Sequence, residues 1–514
     1  MSRFECGILG IDLGTTNTVV GYYDEIGQRG ECCMNQEGTA LLPSAVYFED
    51  SSTYVVGTVA RDGAILHPDR TAMFFKRKMG ADKEAITVDG KAFSPQQISA
   101  LVLKEAVENA RAELETEATE AVITVPAYFD AAARRATMEA GEMAGLHVRD
   151  ILDEPVAALY HCDVLGDLID KTVLIFDLGG GTFDLVAAEV RETEINEIAI
   201  AGDTRLGGSD WDKVFADYLK ERYLKGRTMN PEEEQELLLS AEKAKKILSK
   251  KEKTRLYIST AEGRVPVEVT REEFDRCTAH LMKKVQKVLL DLMMDLFEKG
   301  ITGFDKIILV GGATRMPQIE QFLKGIPYTD IIAKDQDEAV AKGAAVYARL
   351  LGDFVDGTRQ PVRQVSSEKY LNRICTRSYG LAAMLGEDGE RKVCNIIFRS
   401  TVLPVSKKRR FYTTCDNQRQ VNLKIYENLS NEPYVNVHSE ALLGNCVLEL
   451  PEGLKKGSAI MVVFTISGNG VLTVEGSDPA SGKSVSVTME SKALLEPDEV
   501  MAQKVDIEQL SKIY

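Results

Sequence analysis

Short apolar runs alternate with turns over the first sixty residues, as in G-I-L-G-I-D, V-V-G-Y-Y and S-A-V-Y-F. Runs of this length bounded by turn residues predict strands. The period changes at 94–118, where S-P-Q-Q-I-S-A-L-V-L-K-E-A-V-E-N-A spaces its apolar side chains as a helix does, with Ser94 as cap and Pro95 in the first turn. The strand A-V-I-T-V-P follows, then a helix over 131–145 closed by Gly145, then I-L-D-E-P-V-A-A-L, and later I-A-I-A-G-D. Charged helices are predicted over 231–251 and 271–299, followed by the strand K-I-I-L-V, the turn G-G-A-T-R-M-P and a helix over 338–351. Strand and helix alternating in this way predict an α/β architecture over residues 1–352.

Beyond Gly352 the pattern is different. Residues 353–376 are polar and read as a linker. Evenly spaced β runs follow, among them V-C-N-I-I-F, R-F-Y-T-T, V-N-L-K-I-Y, C-V-L-E-L and I-M-V-V-F-T-I, with turns such as S-G-N-G between them. They predict an all-β sandwich over 377–494. Residues 495–514 predict one short amphipathic helix.

Within the α/β part, residues 176–184 read F-D-L-G-G-G-T-F-D between two apolar runs, a β-hairpin whose tip is nearly all backbone. Gly179, Gly180 and Gly181 let amide groups approach a ligand, and a run of N–H groups suits phosphate oxygens. Asp177 and Asp184 flank the bend, and carboxylates beside a phosphate nest call for a bridging cation. Taken alone the motif is equally an ordinary tight hairpin. A second copy, G-I-D-L-G-T-T-N-T-V-V-G at 10–21, aligns Asp12 with Asp177 and Gly14 with Gly179. The repeat implies two similar halves gripping a nucleotide tail from both sides of a cleft.

Composition narrows the classes further. The 514 residues imply two to four units, and 44% hydrophobic content is ample for real cores. A formal charge of −17 argues against non-specific nucleic-acid binding. No apolar run approaches membrane-spanning length, so a cytoplasmic location without membrane attachment is expected. Nine cysteines without a C-x-x-C signal neither zinc nor a disulfide framework, and the five scattered histidines are expected on the surface or in loops.

The motifs G-I-D-L-G-T-T-N, I-T-V-P-A-Y-F, D-E-P, F-D-L-G-G-G-T-F-D, L-G-G-S-D-W-D, A-E-K-A-K-K-I-L-S and V-G-G-A-T-R-M-P resemble the signature set of the DnaK-type 70-kDa heat-shock chaperones, in that family's order over 5–351. The β region is similar to the family's peptide-binding domain more loosely. The hairpins by themselves would indicate only the wider actin, hexokinase and chaperone superfamily. The resemblance implies a duplicated actin-like ATPase domain that binds ATP or ADP with Mg²⁺ and K⁺, followed by a peptide-binding sandwich. Asp12 and Asp177 would anchor Mg²⁺ through metal-bound waters, with Asp184 serving a monovalent cation or water network. Gly14, Thr15, Thr16, Asn17, Gly179, Gly180, Gly181 and Thr182 would surround the phosphates, with Gly207 and Gly208 passing near. Lys76 matches the catalytic lysine, Glu154 the glutamate that orients the attacking water, and Pro126 and Arg134 the pair that relays nucleotide state. From the residues alone, Lys76 is one cation of the patch Lys76, Arg77, Lys78.

On the charged helix Glu242, Lys245, Lys246 and Ser249 fall on one face, which could as well be a solvated surface. The resemblance turns that face to the nucleoside: Glu242 and Lys245 to the ribose, Lys246 and Ser249 to adenine. Gly311 and Gly312 would leave room, Arg315 would stack on the base, and Asp337 would stand near the adenine end. In the sandwich, Val421, Leu423 and Ile425 alternate with polar residues, as core strands do. The resemblance places Leu381, Met384, Phe411, Val421 and Leu423 around a groove for an extended apolar peptide.

The implied partners are unfolded client polypeptides, a J-domain protein and a nucleotide exchange factor. Three features depart from the family pattern. The 353–376 stretch is polar and basic (Arg359, Arg363, Lys369) in place of a leucine-rich acidic linker. The 495–514 helix is at most a lid remnant, so a bound peptide should leave quickly. Asp150 and Asp153 stand where the family presents basic and amide residues to its J-domain partner. Two other functions fit parts of the pattern: a small-molecule kinase, which A-E-K-A-K-K-I-L-S argues against, and an ATP-binding regulatory or scaffold protein with a dedicated partner.

Overall fold

Two sheets of the computed structural model share one strand order. The structure describes residues 4–513 except 164–165, 226, 327–328, 353, 356–357, 360–368, 386–388, 439–440, 469 and 489–496. The first sheet runs His147–Asp153, Glu120–Val125, Ile8–Leu13, Asn17–Asp24, Arg29–Cys32; the second runs Asp330–Ile332, Lys306–Val310, Lys171–Leu178, Phe183–Val190, Glu194–Asp203. In each, an antiparallel meander begins with the glycine hairpin and two parallel strands extend the other side. The duplication read from two short motifs is thus a duplication of whole sheets.

Each lobe has its own apolar core. Leu9, Ile11, Phe48, Phe93, Leu101 and Ile123 fill the first, and Phe176, Trp211, Phe215, Phe274 and Leu292 the second. A third cluster joins them, where helices Glu154–Cys162 and Ala339–Gly352 bring Val156, Leu159, Val340 and Ala344 against Ile175 and Ile308. The helix Pro95–Leu114 starts as its pattern predicts, with Ser94 and Gln97 forming a reciprocal cap and Pro95 at its first position. It stops at Leu114, where Glu115 takes a left-handed conformation. The helix Pro231–Leu248 ends three residues before the predicted 251, ahead of a hairpin, Lys253–Thr260 with Gly263–Thr270. That hairpin and the helix Gly208–Leu224 were not read from the pattern.

The β region is a sandwich of five strands (Tyr434–Asn436, Glu390–Ile397, Ser378–Leu385, Gln420–Asn428, Leu442–Glu449) over four (Val405–Tyr412, Ala459–Ile466, Leu472–Ser477, Ser484–Thr488). Its core includes Ile425, Leu448, Val462, Phe464 and Val474.

Two segments lie where the pattern did not put them. In the polar stretch, residues 360–368, Arg363 among them, lie outside the described residues, as does the side chain of Arg359. Residues 369–375 dock. Tyr370–Asn372 adds a sixth strand to the second sheet, parallel to Glu194–Asp203. Lys369 is buried against Asp163, Arg373 pairs with Asp150 at 3.0 Å, and the Ile374 N–H donates to Glu197 at 2.9 Å. Of the charges in this stretch, Lys369 and Arg373 meet counter-charges on the lobes. The C-terminal helix Pro497–Glu508 rests on the first lobe, against Pro95–Leu114 and Ala131–Met143. Ile507 and Leu510 enter that lobe's core, and Ser511–Lys512 pairs with Thr53–Val56. Arg377 lies over the ring of Tyr128 on the first lobe at 4.4 Å and Arg399 pairs with Asp295 on the second, so the sandwich sits directly on both lobes. His161, expected on the surface, is buried and hydrogen-bonded to Asp335 at 3.2 Å.

Candidate functional site

The two glycine hairpins meet tip to tip. A Cβ on Gly180 would come within 2.5 Å of the Thr16 methyl, and one on Gly207 within 2.5 Å of the Gly181 nitrogen. The close approach is what demands glycine here. The Gly208 and Ser209 N–H groups donate to the carbonyls of Gly179 and Gly180, each at 2.9 Å, where the helix Gly208–Leu224 begins. Asp210 accepts from the Gly207 N–H at 2.8 Å and pairs with Arg77, whose Nε donates to the Gly181 carbonyl at 2.8 Å. Arg77 thereby ties the first lobe to the second lobe's hairpin.

Below the tips lies a cluster of charge. Lys76, only 2% exposed, follows the left-handed Phe74, sits in the short turn Phe75–Lys78 and pairs with Glu154, the first residue of its helix. Asp177 and Asp184 face each other across the second hairpin. The Tyr128 N–H donates to Asp184 at 2.8 Å. Burial, with Glu154 adding to it, pushes the Asp12 carboxyl up to about 7 and Asp184 up to about 8. Asp177 is raised well above the usual carboxylate range by burial and then by Glu154, Asp184 and Asp12. Its Oδ2 is buried with no hydrogen-bond partner. Four carboxylates around one ammonium are short of positive charge, which is the condition a bound cation relieves. Among the described residues no three acidic, His or Cys side chains stand close enough to cage a metal directly. The donor set therefore fits a hydrated divalent ion such as Mg²⁺, which keeps several of its waters.

A cavity of about 80 Å³ is lined by Asp12, Gly14, Thr15, Thr16, Asn17, Lys76, Glu154, Asp177, Gly179, Gly180, Thr182, Gly311, Gly312 and Asp337. It brings together most of the phosphate, metal and catalytic candidates. Gly311, at φ +82°, packs against Leu178 and Gly179, and its N–H donates to the Gln336 carbonyl at 2.8 Å. A larger cavity of about 580 Å³ between the lobes shares Thr15 and Thr16 and reaches Arg61, Asp210, Lys213, Leu238 and Glu242.

Among the residues expected at the nucleoside, Glu242 pairs across the cleft with Arg61 and along its helix with Lys246 at 2.7 Å. Lys245 is buried, paired with Asp212 at 2.7 Å and donating to the Gly208 carbonyl at 2.8 Å. The Ser249 hydroxyl donates to the Lys245 carbonyl at 3.0 Å, Lys246 is exposed, and Arg315 pairs with Asp337 at 2.8 Å. Of the relay pair, Pro126 follows the strand Glu120–Val125, and Arg134 pairs with Asp153 at 2.6 Å, beside Glu154. Arg61, Arg77, Asp210 and Asp212 were missed as site residues. For Asp210 and Asp212 the signal was S-D-W-D, which sets a carboxylate either side of the buried Trp211; Arg61 and Arg77, whose partners lie 181 and 133 residues away, had no local signal.

In the sandwich the peptide candidates separate. Leu381 and Leu423 lie in the core, 3% and 1% exposed, Phe411 and Val421 are half-buried against it, and Met384 is 52% exposed at a strand end.

Fold and cleft together define a two-lobed, actin-like nucleotide-binding α/β domain joined to a β-sandwich. The family model described as Hsp70 protein matches residues 8–512, nearly the whole chain, and the chain belongs to the Hsp70 family. Proteins of that family are chaperone ATPases that bind nucleotide with Mg²⁺, client polypeptides and co-chaperones. No helix among the described residues is long and apolar enough to cross a membrane.

Proposed function

We propose that this protein hydrolyses ATP in the cleft in the manner of DnaK-type chaperones and binds extended apolar polypeptide segments through the sandwich. The carrying observation is the buried Lys76–Glu154 pair, set beneath two interlocked glycine hairpins and among Asp12, Asp177 and Asp184. Lys76 is placed to neutralise charge on a transferred phosphoryl group and Glu154 to orient a water. The Thr182 hydroxyl lines the same cavity. Asp12 and Asp177, one from each lobe, would hold hydrated Mg²⁺, which supplies charge neutralisation at the phosphates when bound. Glu242 and Arg315 flank the nucleoside end. On this reading the functional units are 1–352, a connecting stretch 353–376, the sandwich 377–494 and the helix 495–514, in a cytoplasmic protein.

A second reading has one observation in its favour. Lys369, Arg373 and Ile374 are held by partners on the lobes, so the described end of the connection, residues 369–375, is docked. A permanently docked strand would suit an ATP-binding regulatory or scaffold protein whose peptide affinity does not follow nucleotide state. Single-turnover ATP hydrolysis with and without an extended apolar peptide, against Lys76→Ala, separates the two. Peptide-stimulated turnover that vanishes in the variant supports the coupled chaperone. Lys76-dependent turnover indifferent to peptide supports the scaffold reading, and turnover that survives Lys76→Ala removes the assignment of the catalytic cleft.

A further inference from the structure

The long helix Arg271–Glu298 buries one complete face, with Phe274, Thr278, Leu281, Val285, Leu289, Leu292 and Leu296 directed into the second lobe. Its core contacts are thus satisfied without help from the opposite side. That opposite side nevertheless carries Leu290, Met294 and Phe297, which are 63%, 68% and 72% exposed. They stand at i, i+4 and i+7, one above another, as anchor residues do in helix-mediated recognition. Scattered exposed apolar residues need no explanation, but three large ones stacked on one helical face do.

The same stripe continues toward the helix N-terminus with Arg276, Lys283 and Lys287, all within a sector of about 80°. These three, and Lys284 beside them, are exposed and form no ion pair with a described residue. From Arg276 to Phe297 the stripe contains no carboxylate. Asp291 and Glu298 lie to its flank, and Asp295 is turned to Arg399 of the sandwich. Glu272, one turn before Arg276, and Asp291, one turn after Lys287, bound this basic row; between them the stripe carries only basic charge, in a chain of formal charge −17.

We infer that this stripe, basic over Arg276–Lys287 and apolar over Leu290–Phe297, docks an amphipathic helix of a partner protein, acidic at one end and apolar at the other. The stripe is about 32 Å long at 1.5 Å per residue, which matches a partner helix of about six turns. Charge and apolarity are separated along the helix axis rather than across it. A flat anionic lipid surface does not read such lengthwise order, whereas a rod-shaped ligand does, and the order sets its direction. The stripe faces away from the nucleotide cleft, and its apolar half runs beside the Asp295–Arg399 contact with the sandwich without taking part in it.

The test uses the full-length protein and a labelled synthetic helical peptide of about 20 residues. One half of the peptide carries leucines at i, i+4 and i+7, and the other carries glutamates on the same face. Anisotropy titration should give a dissociation constant on the order of 10 µM at low salt. Met294→Asp should weaken binding about tenfold. Lys283→Glu should weaken it about threefold, with the loss shrinking as salt rises. Nucleotide affinity should be unchanged in both variants, which are exposed substitutions. A peptide of the same composition with leucines and glutamates intermixed should bind at least about tenfold more weakly. Equal binding of the two peptides, or binding insensitive to both variants, would overturn the proposal. So would sedimentation showing self-association lost in Met294→Asp, which would assign the stripe to a second copy, or Met294-dependent binding to anionic vesicles with no peptide binding.

Discussion

At the base of the cleft, charged groups are buried with too few partners, whereas in the sandwich Leu381 and Leu423 are buried among their own kind. Asp177 has an unsatisfied buried oxygen, and carboxyls as high as about 8 surround the Lys76–Glu154 pair. Nothing in the local fold requires that arrangement, and desolvating charge is unfavourable unless something compensates it. Leu381 and Leu423, by contrast, are where any sandwich would put leucines. Burial of polar groups therefore points to chemistry in the first region, while burial of apolar groups in the second reports only stability.

The sharpest contrast comes from the cleft. Lys76→Ala should lower the single-turnover hydrolysis rate by about 10²–10³-fold, with nucleotide still bound, since one preorganised charge is typically worth that much. In the sandwich, Leu423→Ala should cost about 3 kcal/mol in denaturant unfolding. Met384→Ala should cost less than about 0.5 kcal/mol because the side chain is largely exposed. If the Leu423 variant lost peptide binding with no loss of stability, the comparison would fail. Gly180→Ala should cost roughly 1–3 kcal/mol of nucleotide binding by calorimetry, because its methyl must enter the space of the Thr16 side chain.

The seam between the two regions offers a pH test. Burial, with Asp153 adding to it, pushes Glu197 up to about 8, and burial with Asp130 does the same to Glu427. Both carboxyls keep their proton in the folded state well above the ordinary value of 4.5, where the unfolded chain has lost it. Their contribution is therefore lost as pH rises toward and past 8. The melting temperature should fall as pH rises from about 4.5 to about 8, between the unfolded and folded values of these carboxyls, and Glu427→Gln should flatten part of the fall. The smallest effect is expected at the cleft mouth. Breaking the partly exposed Arg61–Glu242 pair with Arg61→Ala should speed nucleotide release by about two- to fivefold in stopped-flow.

Much of the cleft was legible because its parts are contiguous. A phosphate nest needs a few glycines, an acid and a strand in unbroken order, so both hairpins and their repeat could be read from short strings. The sandwich was legible for the same reason, as alternation along each strand declares an inner face. Lys76 was not distinguishable from Arg77 and Lys78 on local grounds, since its partner Glu154 lies 78 residues away. The structure gives the neighbours different partners: Lys76 goes to Glu154, Arg77 to Asp210 and the Gly181 carbonyl, and Lys78 to the Ala85 carbonyl.

The sequence by itself determined the duplicated α/β halves, the two glycine hairpins with Asp12 and Asp177, the helix caps and the alternating strands of the sandwich. Each depends on periodicity or on side chains a few bonds from the backbone they serve. Only the tertiary structure decided that residues 369–375 dock as a sixth strand, that the C-terminal helix lies on the first lobe, and that Asp150 and Asp153 face Arg373 and Arg134. Those outcomes depend on which buried charge finds which counter-charge across long stretches of chain. A polar segment looks solvated until the fold supplies its partner.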